Sequence, residues 1–171
     1  MIPVLELAGV SVRFEGLVAA DNVDAAVARG TITALVGPNG AGKTTLFNVV
    51  TGVQRPTSGH VYFAGSDITR LDTVRRARLG IARTFQNLLL VPSLSALENV
   101  TIGAGRFRRA GITRSMLALA RREDRELRRL ACRALEFAGL DHVAEEPVGS
   151  LSYGDRRRVE VARALASGPE L

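Results

Sequence analysis

Residues 37–45 read GPNGAGKTT, and this spacing of glycines, one lysine and two hydroxyls suits one task, holding the phosphates of a nucleoside triphosphate. Glycines let the chain curl until successive N–H groups converge on phosphate oxygens. Lys43 adds a full positive charge, whose attraction at about 4 Å is on the order of 4 kcal/mol in a medium of intermediate dielectric, before desolvation. Thr44 supplies the hydroxyl that this pattern uses to ligate Mg²⁺. The chain carries 23 lysine and arginine residues, and Lys43 is the only lysine among them. A chain that relies on arginine elsewhere keeps its one ammonium inside a Gly-rich loop. The loop alone does not choose among kinases, GTPases and motor ATPases.

Such a loop needs a strand to deliver it and a helix to receive it. Residues 31–36, TITALV, are a short β-branched apolar run between Gly30 and Gly37, which predicts a strand buried on both faces. KTTLFNVVTG predicts a helix ending at Gly52, with its positive dipole end toward the phosphates. Residues 4–10 and 23–27 alternate loosely and predict an antiparallel layer that turns near Glu15 and Gly16. HVYFAG predicts another strand, residues 72–79 a short basic helix, and residues 81–85 a strand leading into Gln86. Ser93 or Ser95 is placed to cap a short helix after Pro92. The longest helical pattern covers 113–138, with Leu117, Leu127, Leu130, Ala134 and Phe137 toward one side and Gly139 as its stop. Ser150 or Ser152 then caps a terminal helix. The fold class is α/β, with a mainly helical insertion at 90–150 inside one domain of 171 residues.

Hydrophobic content of 46% with charged content of 23% excludes a disordered chain. No apolar run has the length of a membrane span, and the N-terminus lacks the basic start and apolar core of a signal peptide, so a cytosolic location is expected. The formal charge of +6 would suit nucleic acid or an anionic surface, but 5% aromatic content without an aromatic and basic tract speaks against single-stranded nucleic acid. The lone Cys132 is expected to be a buried thiol. Arg121, Arg122, Arg125, Arg128 and Arg129 interleave with Glu123, Asp124 and Glu126, which predicts i,i+4 pairing on a solvated helix face. His60 and His142 have no partner at metal-ligand spacing and are assigned no role.

Two further segments, TFQN at 84–87 and LSYGDRRRVEVARAL at 151–165, complete a recognisable set with the phosphate loop. Together they resemble the ATP-binding subunit of ABC transporters, whose signature motif is LSGGQ and whose Q-loop glutamine follows a strand. The wording of 37–69 and 78–100 is most similar to subunits that power branched-chain amino acid import. The resemblance implies a P-loop NTPase fold of ABC type, a parallel core sheet plus an antiparallel β layer, with the helical portion as an inserted subdomain. It implies that Phe14 stacks on adenine. Gly37, Pro38, Asn39, Gly40, Ala41, Gly42, Lys43, Thr44 and Thr45 cradle the phosphates of ATP, and Thr44 and Gln86 meet Mg²⁺ and the attacking water.

The same resemblance implies that Leu151, Ser152, Tyr153, Gly154 and Asp155 face the ATP of a second ATP-binding subunit. Partners are therefore a second such subunit, as homodimer or heterodimer, and membrane permease subunits, with the protein peripheral on the cytoplasmic face of the membrane. No nucleic-acid partner is expected. Two departures stand out: Tyr153 and Asp155 replace a glycine and a glutamine of the signature. Arg156, Arg157 and Arg158 offset the Asp155 charge or line a solvated face. The acids that hold Mg²⁺ and orient water in this family end an apolar strand as an Asp-Glu pair, and the sequence has none. The resemblance implies that this Walker B strand would follow ASGPEL, so the fold is expected to be incomplete at the C-terminus, with weak ATP binding and no turnover by these residues alone. Other readings are a soluble ABC-type ATPase acting on nucleic acid or ribosomes, and a non-functional truncated remnant.

Overall fold

Strand β1, Leu5–Phe14, pairs antiparallel with β2, Leu17–Val27, on one side and with β3, Ser58–Phe63, on the other. The short β4, Ser66–Asp67, completes the sheet order β2-β1-β3-β4. Simple alternation would turn Val10 away from the face that carries Leu5 and Leu7. A register shift between Leu7 and Val10, at Gly9 with φ of 60°, resets the pleat, so all three and Val12 are buried on the core. Leu46 and Val49 of helix α1, Lys43–Thr51, pack into the same cluster with Val61, Phe63 and Ile68. Helix α2, Thr73–Leu79, begins at Asp72, whose side chain caps the Arg75 amide at 2.8 Å.

This computed structural model describes residues 2–85, 88–107 and 118–171. They fall into two compact units, Met1–Ile81 with Glu170–Leu171, and Ala82–Pro169. The second unit is helical. Helix α3, Ala96–Gly103, opens on a capping box between Ser95 and Glu98, so that Ser95 is the cap of the two serines expected. It packs with α4, Ala118–Phe137, and α5, Tyr153–Ala166, around Leu97, Val100, Ala131, Leu135, Val159 and Ala162. Fully buried Asn99 holds the approach to α3 by accepting from Val91 N at 2.8 Å and donating to Val91 O and Ser95 O at 3.1 and 2.9 Å.

Several expectations are revised. Residues 31–36 and 81–85 carry no strand pairing among the described residues, and the sheet described is antiparallel throughout. Ile32 and Val36 are 103% and 86% exposed, not buried. β-branched composition favours a pleated surface, but a strand exists only through a ladder with a neighbour. Phe137 is 83% exposed. On α4 the buried stripe is Leu127, Ala131, Ala134 and Leu135, and Phe137 lies roughly 100° around the helix from its middle. Cys132 is off the stripe on the other side and is exposed. Arg128 pairs with Glu145 at 2.7 Å, and the side chains of Arg121, Arg122 and Glu123, part of the expected i,i+4 pairing, lie outside those described. Residues 113–117, the start of the expected long helix, lie outside the described residues.

Candidate nucleotide site and signature segment

The loop at 37–42 enters α1 through Gly42, whose φ of 78° is left-handed. A Cβ there would lie 2.0 Å from the Ala19 carbonyl oxygen, so only glycine lets the loop press against β2. Ala41 N donates to Pro38 O at 3.3 Å and tightens the turn. Because the cap is glycine, no side chain bonds the first-turn amides from the N-cap position, and the helix presents its positive end to an anion instead. Lys43 curls back over the loop, and its Nζ donates to Gly37 O at 2.7 Å and Pro38 O at 2.6 Å. These carbonyls hold the ammonium against the start of the loop. Thr44 is exposed beside it.

Phe14 closes β1 opposite Leu17, two residues before Ala19, so β2 brings this hairpin to the side of the loop. At 43% exposure Phe14 is not a core residue. The donor set fits a polyphosphate: a curled loop with no room for a Cβ at Gly42, a helix N-terminus and one ammonium. Among the described residues no three His, Cys, Asp or Glu side chains group to hold a metal by themselves.

The C-terminus of α1 is held by a residue that sequence reading missed. Arg76 of α2 is 1% exposed. Its Nη1 donates to Val49 O and Val50 O at 2.6 and 2.9 Å, its Nη2 to Thr69 O at 3.0 Å and its Nε to Leu71 O at 3.0 Å. The guanidinium therefore caps the negative end of the helix whose other end carries Lys43. Burial lowers its pKa, and the charge of Asp67 opposes that shift. Nothing in TVRRARL distinguishes Arg76 from Arg75 and Arg78, since the deciding partners come from 49, 50, 69 and 71.

In the helical unit Leu151 is buried, while Ser152, Tyr153 and Gly154 are exposed ahead of and along the first turn of α5. Ser152 is the N-cap, its Oγ accepting from Asp155 N at 3.1 Å and donating to Asp155 Oδ2 at 2.6 Å. Arg158 bonds the other carboxylate oxygen. The Ser152 hydroxyl first, then Arg158 and the charge of His142, hold the Asp155 pKa below its ordinary value. The three arginines thus divide their work. Arg158 offsets Asp155, Arg156 donates to Leu151 O at 2.8 Å and Gly149 O at 3.2 Å, and Arg157 donates to the Tyr153 hydroxyl at 2.7 Å. Gln86 lies outside the described residues. The loop and Phe14 belong to the first unit, the signature segment to the second.

A glycine-capped loop closing on its own lysine at the head of a core helix defines a P-loop nucleotide-binding protein. The family profile described as ABC transporter matches residues 20–171, and the chain belongs to that family. It is 36% identical over 171 residues to the high-affinity branched-chain amino acid transport ATP-binding protein BraF of Pseudomonas aeruginosa, covering 99% of this chain and 67% of BraF. Among solved structures it is similar to the ADP conformation of MJ1267, an ATP-binding cassette of an ABC transporter, with TM-score 0.84 and 32% identity over 99% of this chain and 66% of that one. It is also similar to the dimeric structure of MJ0796, a bacterial ABC transporter cassette, with TM-score 0.77 and 29% identity over 96% of this chain and 70% of that one. No described helix is long and apolar enough to cross a membrane.

Proposed function

We infer that residues 1–171 form one nucleotide-binding domain, with 90–150 as its helical subdomain, in a subunit that energises an ABC importer of branched-chain amino acids. The observation that carries nucleotide binding is Lys43, gathered by Gly37 O and Pro38 O over the N-terminus of α1. Gly37, Pro38, Asn39, Gly40, Ala41, Gly42, Lys43, Thr44 and Thr45 hold the phosphates of ATP, Phe14 takes the adenine face, and Thr44 with Gln86 holds Mg²⁺. Bound Mg²⁺-ATP supplies a γ-phosphoryl group whose transfer to water is the energy source of such a subunit.

Leu151, Ser152, Tyr153, Gly154 and Asp155 present a capped helix N-terminus to the ATP of a second subunit, a reading supported by the dimeric cassette to which the chain is similar. The branched-chain amino acid cargo rests on the likeness to BraF. Permease subunits and a peripheral place on the cytoplasmic membrane face follow from the same likeness. The 171 residues contain no Asp-Glu pair, so by themselves they bind ATP weakly and do not turn it over. Titration with ATP and Mg²⁺, followed by calorimetry, tests the binding. Lys43→Ala is expected to weaken it by about tenfold or more, a fraction of the Coulomb attraction of the ammonium. Equal affinity in the variant would sink the site, and phosphate release clearly above the Lys43→Ala control would sink the claim of no turnover.

A further inference from the structure

Glu160 of α5 is 2% exposed, and the nucleotide reading gives it no task. A carboxyl group this deep in a helical core needs a reason, since removing it from water is costly unless donors surround it. Its Oε1 accepts from the backbone N–H of Phe85 at 3.0 Å. Arg157 and Arg163 bring guanidinium nitrogens to 3.9 Å from Oε2 and Oε1 respectively.

Phe85 is held on its other side too. Arg157 Nη1 donates to Phe85 O at 3.5 Å, while the Tyr153 hydroxyl accepts from Arg157 Nε and Nη2 at 3.0 and 2.7 Å. Arg83 lies over the Phe85 ring, 5.1 Å from its centroid. Two side chains of one helix therefore grip both the N–H and the C=O of a residue 72 to 75 positions earlier. Phe85 immediately precedes Gln86, and α5 begins inside the signature segment at Tyr153.

The geometry points to Glu160 and Arg157 as positioning residues that fix the chain feeding Gln86 to the helix that carries the signature segment. Tyr153 is part of the device. Its hydroxyl restrains Arg157 toward the Phe85 carbonyl, a role that a glycine at 153 would leave unfilled. A displacement of the first turns of α5 is thereby passed to the backbone of Phe85, the residue that precedes Gln86 in the sequence.

The role of Gln86 rests on the nucleotide-binding reading above, and the experiment separates the two. In the 171-residue chain, ATP affinity is measured with and without Mg²⁺ for wild type, Glu160→Leu, Glu160→Gln and Lys43→Ala, together with NMR amide exchange at Phe85. Glu160→Gln keeps an acceptor for the Phe85 N–H, and Glu160→Leu does not. Glu160→Leu is expected to reduce the Mg²⁺ enhancement of ATP affinity about five-fold, on the order of the worth of one hydrogen bond, with unchanged affinity in the absence of Mg²⁺. Phe85 exchange quickens in that variant, and Glu160→Gln restores both properties. An unchanged enhancement in Glu160→Leu, equal damage in Glu160→Gln, or equal losses with and without Mg²⁺ would overturn the assignment. If wild type binds ATP no better than Lys43→Ala, the nucleotide reading fails. The grip is then judged on Phe85 exchange, where unaltered protection in Glu160→Leu refutes it and faster exchange rescued by Glu160→Gln upholds it.

Discussion

Asp67 gathers three donors around one exposed carboxylate. The Thr69 hydroxyl and backbone N–H, followed by His60, whose Nδ1 lies 3.0 Å from Oδ2, bring its pKa down to about 2. The folded value lies below the ordinary value of roughly 3.9, so its contribution is present above that value and is lost as pH falls toward the folded value. With 45% of the side chain exposed, solvent screening keeps the contribution small. Asp67→Asn is therefore expected to lower the urea midpoint at neutral pH, with the gap to wild type closing between about pH 5 and about pH 2. A gap that widens on acidification would reverse the assignment. At the same scale, Lys43 was legible because its partners, Gly37 and Pro38, lie within six residues of it. Asp155 was legible only in part. Its charge could be read from the sequence, whereas its bonds to Ser152 and Arg158 required the turn of α5.

Helix α1 is the element on which the phosphate loop depends, and it is secured at both ends by different means. Gly42 starts it where a Cβ would meet Ala19 O, and Arg76 holds its last carbonyls. Removing Arg76 leaves buried acceptors without a partner, each costing about 1–3 kcal/mol. Arg76→Ala is expected to destabilise the chain by about 3 kcal/mol or more, measured by chemical denaturation. Arg76→Lys should recover little, because one ammonium cannot match a planar fork that reaches four carbonyls. A loss below 1 kcal/mol in Arg76→Ala would mean that α1 holds without it. The exposed apolar run at 31–36 shows the opposite case. Its sequence favours a strand, but no ladder partner occurs among the described residues, and local preference cannot replace one.

For the molecule as a whole, the charge of +6 invites a nucleic-acid reading, against which the engagement of several arginines counts. Arg76, Arg156, Arg157 and Arg158 are committed to carbonyls, a carboxylate and a tyrosine hydroxyl within the fold. The chain is expected not to be retained on duplex DNA at about 150 mM salt. Retention that falls linearly with the logarithm of salt concentration would restore the nucleic-acid reading. The sequence by itself determined the features whose causes are local: the glycine and lysine spacing of the phosphate loop, the stop at Gly52, and the family to which the motifs belong, while the structure chose Ser95 over Ser93 and Ser152 over Ser150 as caps. The tertiary structure decided the rest. It buried Arg76 and Glu160 while leaving Phe137, Cys132 and Ile32 exposed. The physical reason is that burial and hydrogen bonding of these side chains are set by partners far along the chain. Val49 and Val50 meet Arg76, and Phe85 meets Glu160, only once the elements have packed.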